Sequence, residues 1–87
     1  MKTVSMKYRA RVEVSLKPGY SDPEGETTRR SLAELNYPVQ SVRIAKVYEI
    51  MLEATNSTTA KKTLDHMCKR LLANPVKDNY RFEVEET

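Results

Sequence analysis

The chain has one cysteine, one histidine and two glycines among 87 residues, and no long apolar run. Each scarcity closes off a class of function. The lone Cys68 excludes an intrachain disulfide and suits a reducing compartment. It follows Met67 at helical core spacing, which reads as a buried apolar filler rather than a nucleophile. A metal site needs several ligands at fitting spacing, whereas His66 and Cys68 stand two positions apart on a helix and point to different faces. His66 beside Asp65 reads as a surface residue, and triads fail for the same want of partners. Gly19 and Gly25 belong to no phosphate-cradling fingerprint. The first helix offers free amides at its start, but Asp22 and Glu24 already bring negative charge there, which argues against an anion site. Apolar stretches of a few residues are too short to span a membrane, and the first residues lack the apolar core of a signal peptide. A cytoplasmic address without membrane contact is expected. Asn56-Ser57-Thr58 then reads as a helix start, not a glycosylation acceptor.

What is present describes a folded domain. Hydrophobic residues make up 39% and charged residues 31%, normal for a water-soluble globular chain. We expect one domain over residues 1–87. A domain this small buries about 60 to 65% of its unfolded surface, so partner subunits would add to its stability. Fifteen Lys and Arg against twelve Asp and Glu leave +3. That mild excess, spread over both helices and the first strand, makes no nucleic-acid stripe.

The periodicity places the elements. From Met6 to Leu16 the even positions are apolar and the odd ones mostly charged, a strand with one buried face. Pro18-Gly19 ends it. Asp22 stands at an N-cap with Pro23 at the first helical position, predicting a helix from about Pro23 to Leu35. Its inner face would be Gly25, Thr28, Leu32 and Leu35, with Gly25 marking close approach to another backbone. Asn36 and Pro38 supply the stop. Alternation returns at Val42 and Ile44, breaks at Lys46, and resumes at Tyr48, Ile50 and Leu52 on the same parity. One long bent strand explains this, as do two strands around a turn near Ala45-Lys46; preserved parity favours the first. Asn56 or Ser57 caps a second helix with the stripe Ala60, Leu64, Met67, Leu71 and with Cys68 and Leu72 beside it. Asn74-Pro75 ends that helix, and Tyr80, Phe82 and Val84 alternate with Arg81, Glu83 and Glu85 in a last strand.

The expected fold is α+β: β-α-β-α-β in two layers, a mostly antiparallel sheet with both helices on one face, or βαββαβ if the middle strand splits. The other face would carry Lys7, Arg9, Arg11, Glu13, Arg43, Glu49, Glu53, Arg81 and Glu83, with opposite charges on neighbouring strands. Uncovered sheet edges favour self-association. A small RNA-binding domain would need aromatics on the open face, yet Tyr8, Tyr48, Tyr80 and Phe82 share the apolar one. A small regulatory, ferredoxin-like domain would need a polar pocket at a strand-helix turn, and no concentrated candidate shows. Binding to protein partners remains.

Several segments together carry a family resemblance. They are the alternating first strand, Asp22-Pro23 with Gly25, Val42-Arg43-Ile44 with Lys46, and Met67-Cys68 through Leu71-Leu72-Ala73-Asn74-Pro75-Val76. In this order the chain resembles the PurS family, the small subunit of phosphoribosylformylglycinamidine (FGAM) synthase, from about Met6 to Glu85. It departs in carrying Ala45 and Asn36 where members often have glycine. The resemblance implies a non-catalytic subunit in purine biosynthesis. It would join a PurL-like synthetase, which uses ATP and Mg, to a PurQ-like glutaminase, and help ammonia pass between them. It also implies a homodimer or higher oligomer, no cofactor in this chain, and no nucleic-acid partner. At matched positions near element ends, Arg43, Lys46, Asn74, Pro75 and Tyr80 are the expected interface residues.

Overall fold

The computed structural model describes residues 5–87. Strand β1 (Met6–Leu16) is followed by helix α1 (Pro23–Glu34), strand β2 (Ala45–Ala54), helix α2 (Ser57–Met67) with a π-helical turn (Cys68–Leu72), and strand β3 (Asp78–Glu86). The sheet order is β2-β1-β3, with β1 antiparallel to both neighbours. The α+β class and the order of elements are as expected. The even positions of β1 face α2, and Tyr8, Ala10, Val12 and Val14 are buried there with Ala60, Leu64 and Cys68.

The two helices do not share the sheet face. Helix α2 packs across all three strands, while α1 makes at most marginal contact with any other element. The reason lies in the connections. Strands β2 and β3 are parallel to each other with β1 between them, so the chain joining them must cross a face, and α2 does. Strands β1 and β2 are antiparallel neighbours whose ladder opens at Ser15 opposite Ala45, so residues 17–44 leave and return at the same end. They need cover nothing, and they form an arm. Its helix alone is about 18 Å long. The molecule measures 63 × 27 × 14 Å, with a radius of gyration of 17.4 Å. A compact chain of this length would have about 12 Å.

Three further expectations change with this geometry. The middle strand is neither bent through Val42 nor split: it begins at Ala45, and Val42 to Ile44 belong to the arm. Arg43 therefore leaves the open sheet face. Leu35, expected on the inner face of α1, is exposed because that helix has no sheet beneath it. Leu71, expected in the buried stripe of α2, is 84% exposed. Here the cause is the π-helical turn, in which Ala73 N donates to Cys68 O at 2.9 Å. An i→i+5 turn takes more residues to close, so the buried positions run Ala60, Leu64, Cys68, Ala73 and Leu71 swings outward.

On the open face the register sets Arg11 between Glu49 and Glu83, Lys7 beside Glu53, and Arg9 beside Glu85. Arg81 closes on Glu13 at 2.7 Å. This alternation of sign is the one expected.

Substitution separates the two leucines of the second helix. Leu64→Ala should cost about 2–5 kcal/mol for a fully buried side chain, and Leu71→Ala about 0.5 kcal/mol or less, by urea denaturation. Equal losses would place Leu71 in the core.

Candidate partner-binding surface

The arm is tied at its base by Asp22. Its Oδ1 accepts from Gly25 N and its Oδ2 from Ile44 N, both at 2.8 Å. One carboxylate thus caps α1 and holds the last residue of the returning segment. These two backbone donors, with Arg43 adding a smaller attraction, hold the Asp22 pKa below its ordinary value of 3.8. Gly25 lets the two limbs meet, since a Cβ there would collide with the Val42 carbonyl oxygen and stand 2.9 Å from the Asp22 carboxyl. The close approach expected for Gly25 is present. At the tip, Asn36 takes φ 70°, while Asn36 N donates to Ala33 O and Tyr37 N to Leu32 O. This double bond pattern closes the helix and reverses the chain.

The five residues singled out from sequence lie toward the end of the sheet from which the arm springs. Arg43 donates to Leu16 O at 2.6 Å, bracing the returning segment against the end of β1. Lys46 is exposed on edge strand β2, opposite Val14, and lines a cleft of about 240 Å³ with Asp22, Glu24, Leu72 and Lys77. Asn74 organises the turn at 74–78: its Oδ1 accepts from Val76 N at 2.9 Å, and its own N–H donates to Asp78 Oδ2 at 2.8 Å. Pro75 offers its carbonyl to Lys17 Nζ at 3.1 Å. Tyr80, opposite Val14 on β3 as Lys46 is on β2, is half-buried and donates to Asp65 on α2 at 2.5 Å. That bond raises the Tyr80 pKa, while Lys69 first and Tyr80 second lower that of Asp65.

Sequence reasoning missed Lys17 and Tyr20. Lys17 N donates to Lys77 O at 2.7 Å and Tyr20 Oη to Val76 O at 3.2 Å, so the β1–α1 connection clasps the turn before β3. Nothing local marks them, because their partners are backbone carbonyls over fifty residues away. The second bond of Asp22 escaped because its donor, the Ile44 N–H, lies at the far end of the returning limb. Asp65, by contrast, had a signal in the Asp65–Lys69 spacing of a helical ion pair.

The remaining chemistry is sparse. His66 is exposed and Cys68 buried, on different faces as expected. Burial, then the charge of Asp65, pushes the Cys68 thiol pKa up, away from a reactive thiolate. Among the described residues no three His, Cys, Asp or Glu side chains gather as a metal site. Large apolar side chains are exposed at Leu35 and Tyr37 on the arm and at Leu71 and Val76 after helix α2.

Comparison with known proteins places this geometry. The family model described as PurS: Phosphoribosylformylglycinamidine (FGAM) synthase matches residues 9–86. The chain belongs to the PurS family. The phosphoribosylformylglycinamidine synthase subunit PurS of Synechocystis is 43% identical over 94% of this chain and 83% of its own length. The crystal structure of Methanocaldococcus jannaschii PurS superimposes with a TM-score of 0.83 at 38% identity, covering 92% of this chain and 98% of that one. A chain in the structure of PurLQS from Thermotoga maritima gives 0.80 at 33% identity, covering 93% and 98%. Agreement over nearly the whole of these PurS chains includes the arm. Among the described residues no helix is long and apolar enough to cross a membrane.

Asp22 makes the stability of the PurS fold depend on acidity. A carboxylate whose folded pKa is depressed contributes stability above its unfolded pKa and loses it as pH falls through the folded value. The difference between wild type and Asp22→Asn in urea denaturation should therefore be present at pH 7 and vanish below the lowered pKa. A difference independent of pH would remove the carboxylate from the arm base.

Proposed function

We infer that this chain is a non-catalytic subunit of FGAM synthase in purine biosynthesis, joining a PurL-like synthetase to a PurQ-like glutaminase and assisting ammonia transfer. The complex would convert formylglycinamide ribonucleotide, glutamine, ATP and water to formylglycinamidine ribonucleotide, ADP, phosphate and glutamate. The observation that carries this reading is the match, over nearly its whole length, to a chain of PurLQS. On this reading ATP and Mg act in the synthetase, the chain contributes no catalytic residue, and the complex works in the cytoplasm. A buried Cys68 with a raised pKa and a lone exposed His66 suit a subunit that positions other enzymes.

The reading divides the labour of the interface residues. Arg43, Lys46 and Pro75 are exposed at the arm base and contact a partner enzyme there, while Asn74 and Tyr80 hold the turn and strand that present them. Self-association uses the arm and the free outer edge of β2. Leu35, 66% exposed, and Tyr37 supply its apolar contact.

Reconstitution tests the assignment. Amidine synthesis by the purified synthetase and glutaminase of the same organism should require the chain when glutamine is the nitrogen source, and much less so when ammonium is supplied. Arg43→Glu with Lys46→Glu should weaken assembly and lower the glutamine-dependent rate. Unchanged turnover without the chain would end the assignment; unchanged assembly by the variant would remove those two residues from the interface.

Oligomeric state tests the arm. Leu35→Asp with Tyr37→Asp should convert the homo-oligomer to monomer in sedimentation experiments while leaving far-ultraviolet circular dichroism unchanged. An unaltered oligomer would place self-association elsewhere.

A further inference from the structure

The hydrogen-bond phase of the sheet decides which backbone groups are free at its margins. Thr87 N donates to Lys7 O at 3.0 Å and Lys17 N to Lys77 O at 2.7 Å, so the odd residues of β1 bond to β3 and the even ones to β2. On β2 the even residues therefore bond inward, while the N–H and C=O groups of Ala45, Val47, Glu49, Met51 and Glu53 point away from the sheet. Among the described residues no backbone hydrogen bond from a turn or loop reaches them. Side chains make the same edge apolar on both faces. Val47 and Met51 are 44% and 59% exposed on the open face, and Tyr48, Ile50 and Leu52 are half-buried on the face toward α2. The outer edge of β3 differs, because its open-face residues Asn79, Arg81, Glu83 and Glu85 are all polar and suit an edge left in solvent. A long apolar edge with free donors and acceptors calls for another strand.

A second copy of β2 supplies that strand in a register its charges select. Two copies related by a two-fold axis run antiparallel, and their outward groups meet only when the axis passes beside the same single residue of each. An axis at Glu49 pairs Ala45 through Glu53 and one at Ile50 pairs Lys46 through Ala54, whereas any other position pairs fewer residues. The first sets Glu49 against Glu49 of the second copy, like charges directly opposed. The second sets Ile50 against Ile50, Tyr48 against Leu52, Glu49 against Met51 and Val47 against Glu53. No like charges are opposed there, and the half-buried apolar side chains of the two copies meet on the face toward α2.

We propose that a second copy of this chain docks along β2: the two β2 strands pair antiparallel about a two-fold axis at Ile50 and join two sheets into one of six strands. This pairing rests on the self-association reading above and fixes its edge, its direction and its register. It leaves a β3 strand at each margin of the joined sheet, the edge that its polar residues protect.

Two measurements on the whole chain test it. At Ile50 the paired strands make no hydrogen bonds and their Cα atoms lie about 4.5 Å apart, within reach of a disulfide. Ile50→Cys should therefore give a disulfide-linked dimer under mild oxidation. Tyr48→Cys should not, because its two copies stand about 13 Å apart along the strands. Wild type, whose Cys68 is buried, is the control and should stay unlinked. Hydrogen exchange of the wild-type chain needs no substitution. The amides of Val47, Glu49, Met51 and Glu53 should exchange as free groups in dilute monomer, and about tenfold more slowly at a concentration about a hundredfold above the dimer Kd. Fast exchange of these four amides in the oligomer would overturn the edge pairing and leave self-association to the arm. Slowed exchange without linkage at Ile50→Cys would overturn the register. A chain that sediments as a monomer at every concentration would end the self-association reading, and this proposal with it.

Discussion

Strand β1, paired on both sides with antiparallel neighbours, is the constraint on which the rest of the molecule depends. It makes β2 and β3 parallel to each other across a central strand, and two parallel strands so placed can be joined only by a crossover. Helix α2 is that crossover, and the core is the space it closes over β1. The other connection, between antiparallel neighbours, is released from any covering duty. One sheet order therefore yields a compact body and a projecting arm.

An arm without a sheet beneath it must be held by its own contacts. Asp22 ties both limbs at the base, Gly25 lets them touch, and Asn36 closes the far end with a left-handed residue. None of these buries much apolar area, which explains why α1 is weakly apolar on its inner side. Its exposed Leu35 and Tyr37 are surplus to the monomer.

The two ends of α2 show how local backbone choices shape the surface. At its start Asn56 caps the helix by accepting from Thr59 N at 2.8 Å. At its end the π-helical turn lengthens the spacing between buried residues, keeping Cys68 and Ala73 inward and displacing Leu71. The same helix and turn carry four basic residues, Lys61, Lys62, Lys69 and Arg70, against the single acid Asp65. On the open sheet face the opposite holds, since cross-strand neighbours of opposite sign cancel one another.

Much of this was legible in the order of residues. Two-residue alternation marked β1 and β3, Asp22-Pro23 and Asn56 marked helix starts, and Asn36 marked a stop, because these signals act within a few residues of themselves. The antiparallel alternation of charge followed from parity alone. Family membership was readable too, carried by segments in register from Met6 to Glu85. What the order of residues left open depended on partners distant in the chain. That α1 stands off the sheet follows from which strands are neighbours, and strand order has no local signature. Arg43 reaches Leu16, Lys17 and Tyr20 reach the turn at 74–78, and Tyr80 reaches Asp65, each through a bond closed only in three dimensions. The fate of Leu71 turned on one widened helical turn that periodicity assumes away. Short-range geometry is written in the sequence, whereas which surfaces stay open is decided by what the remaining chain happens to cover.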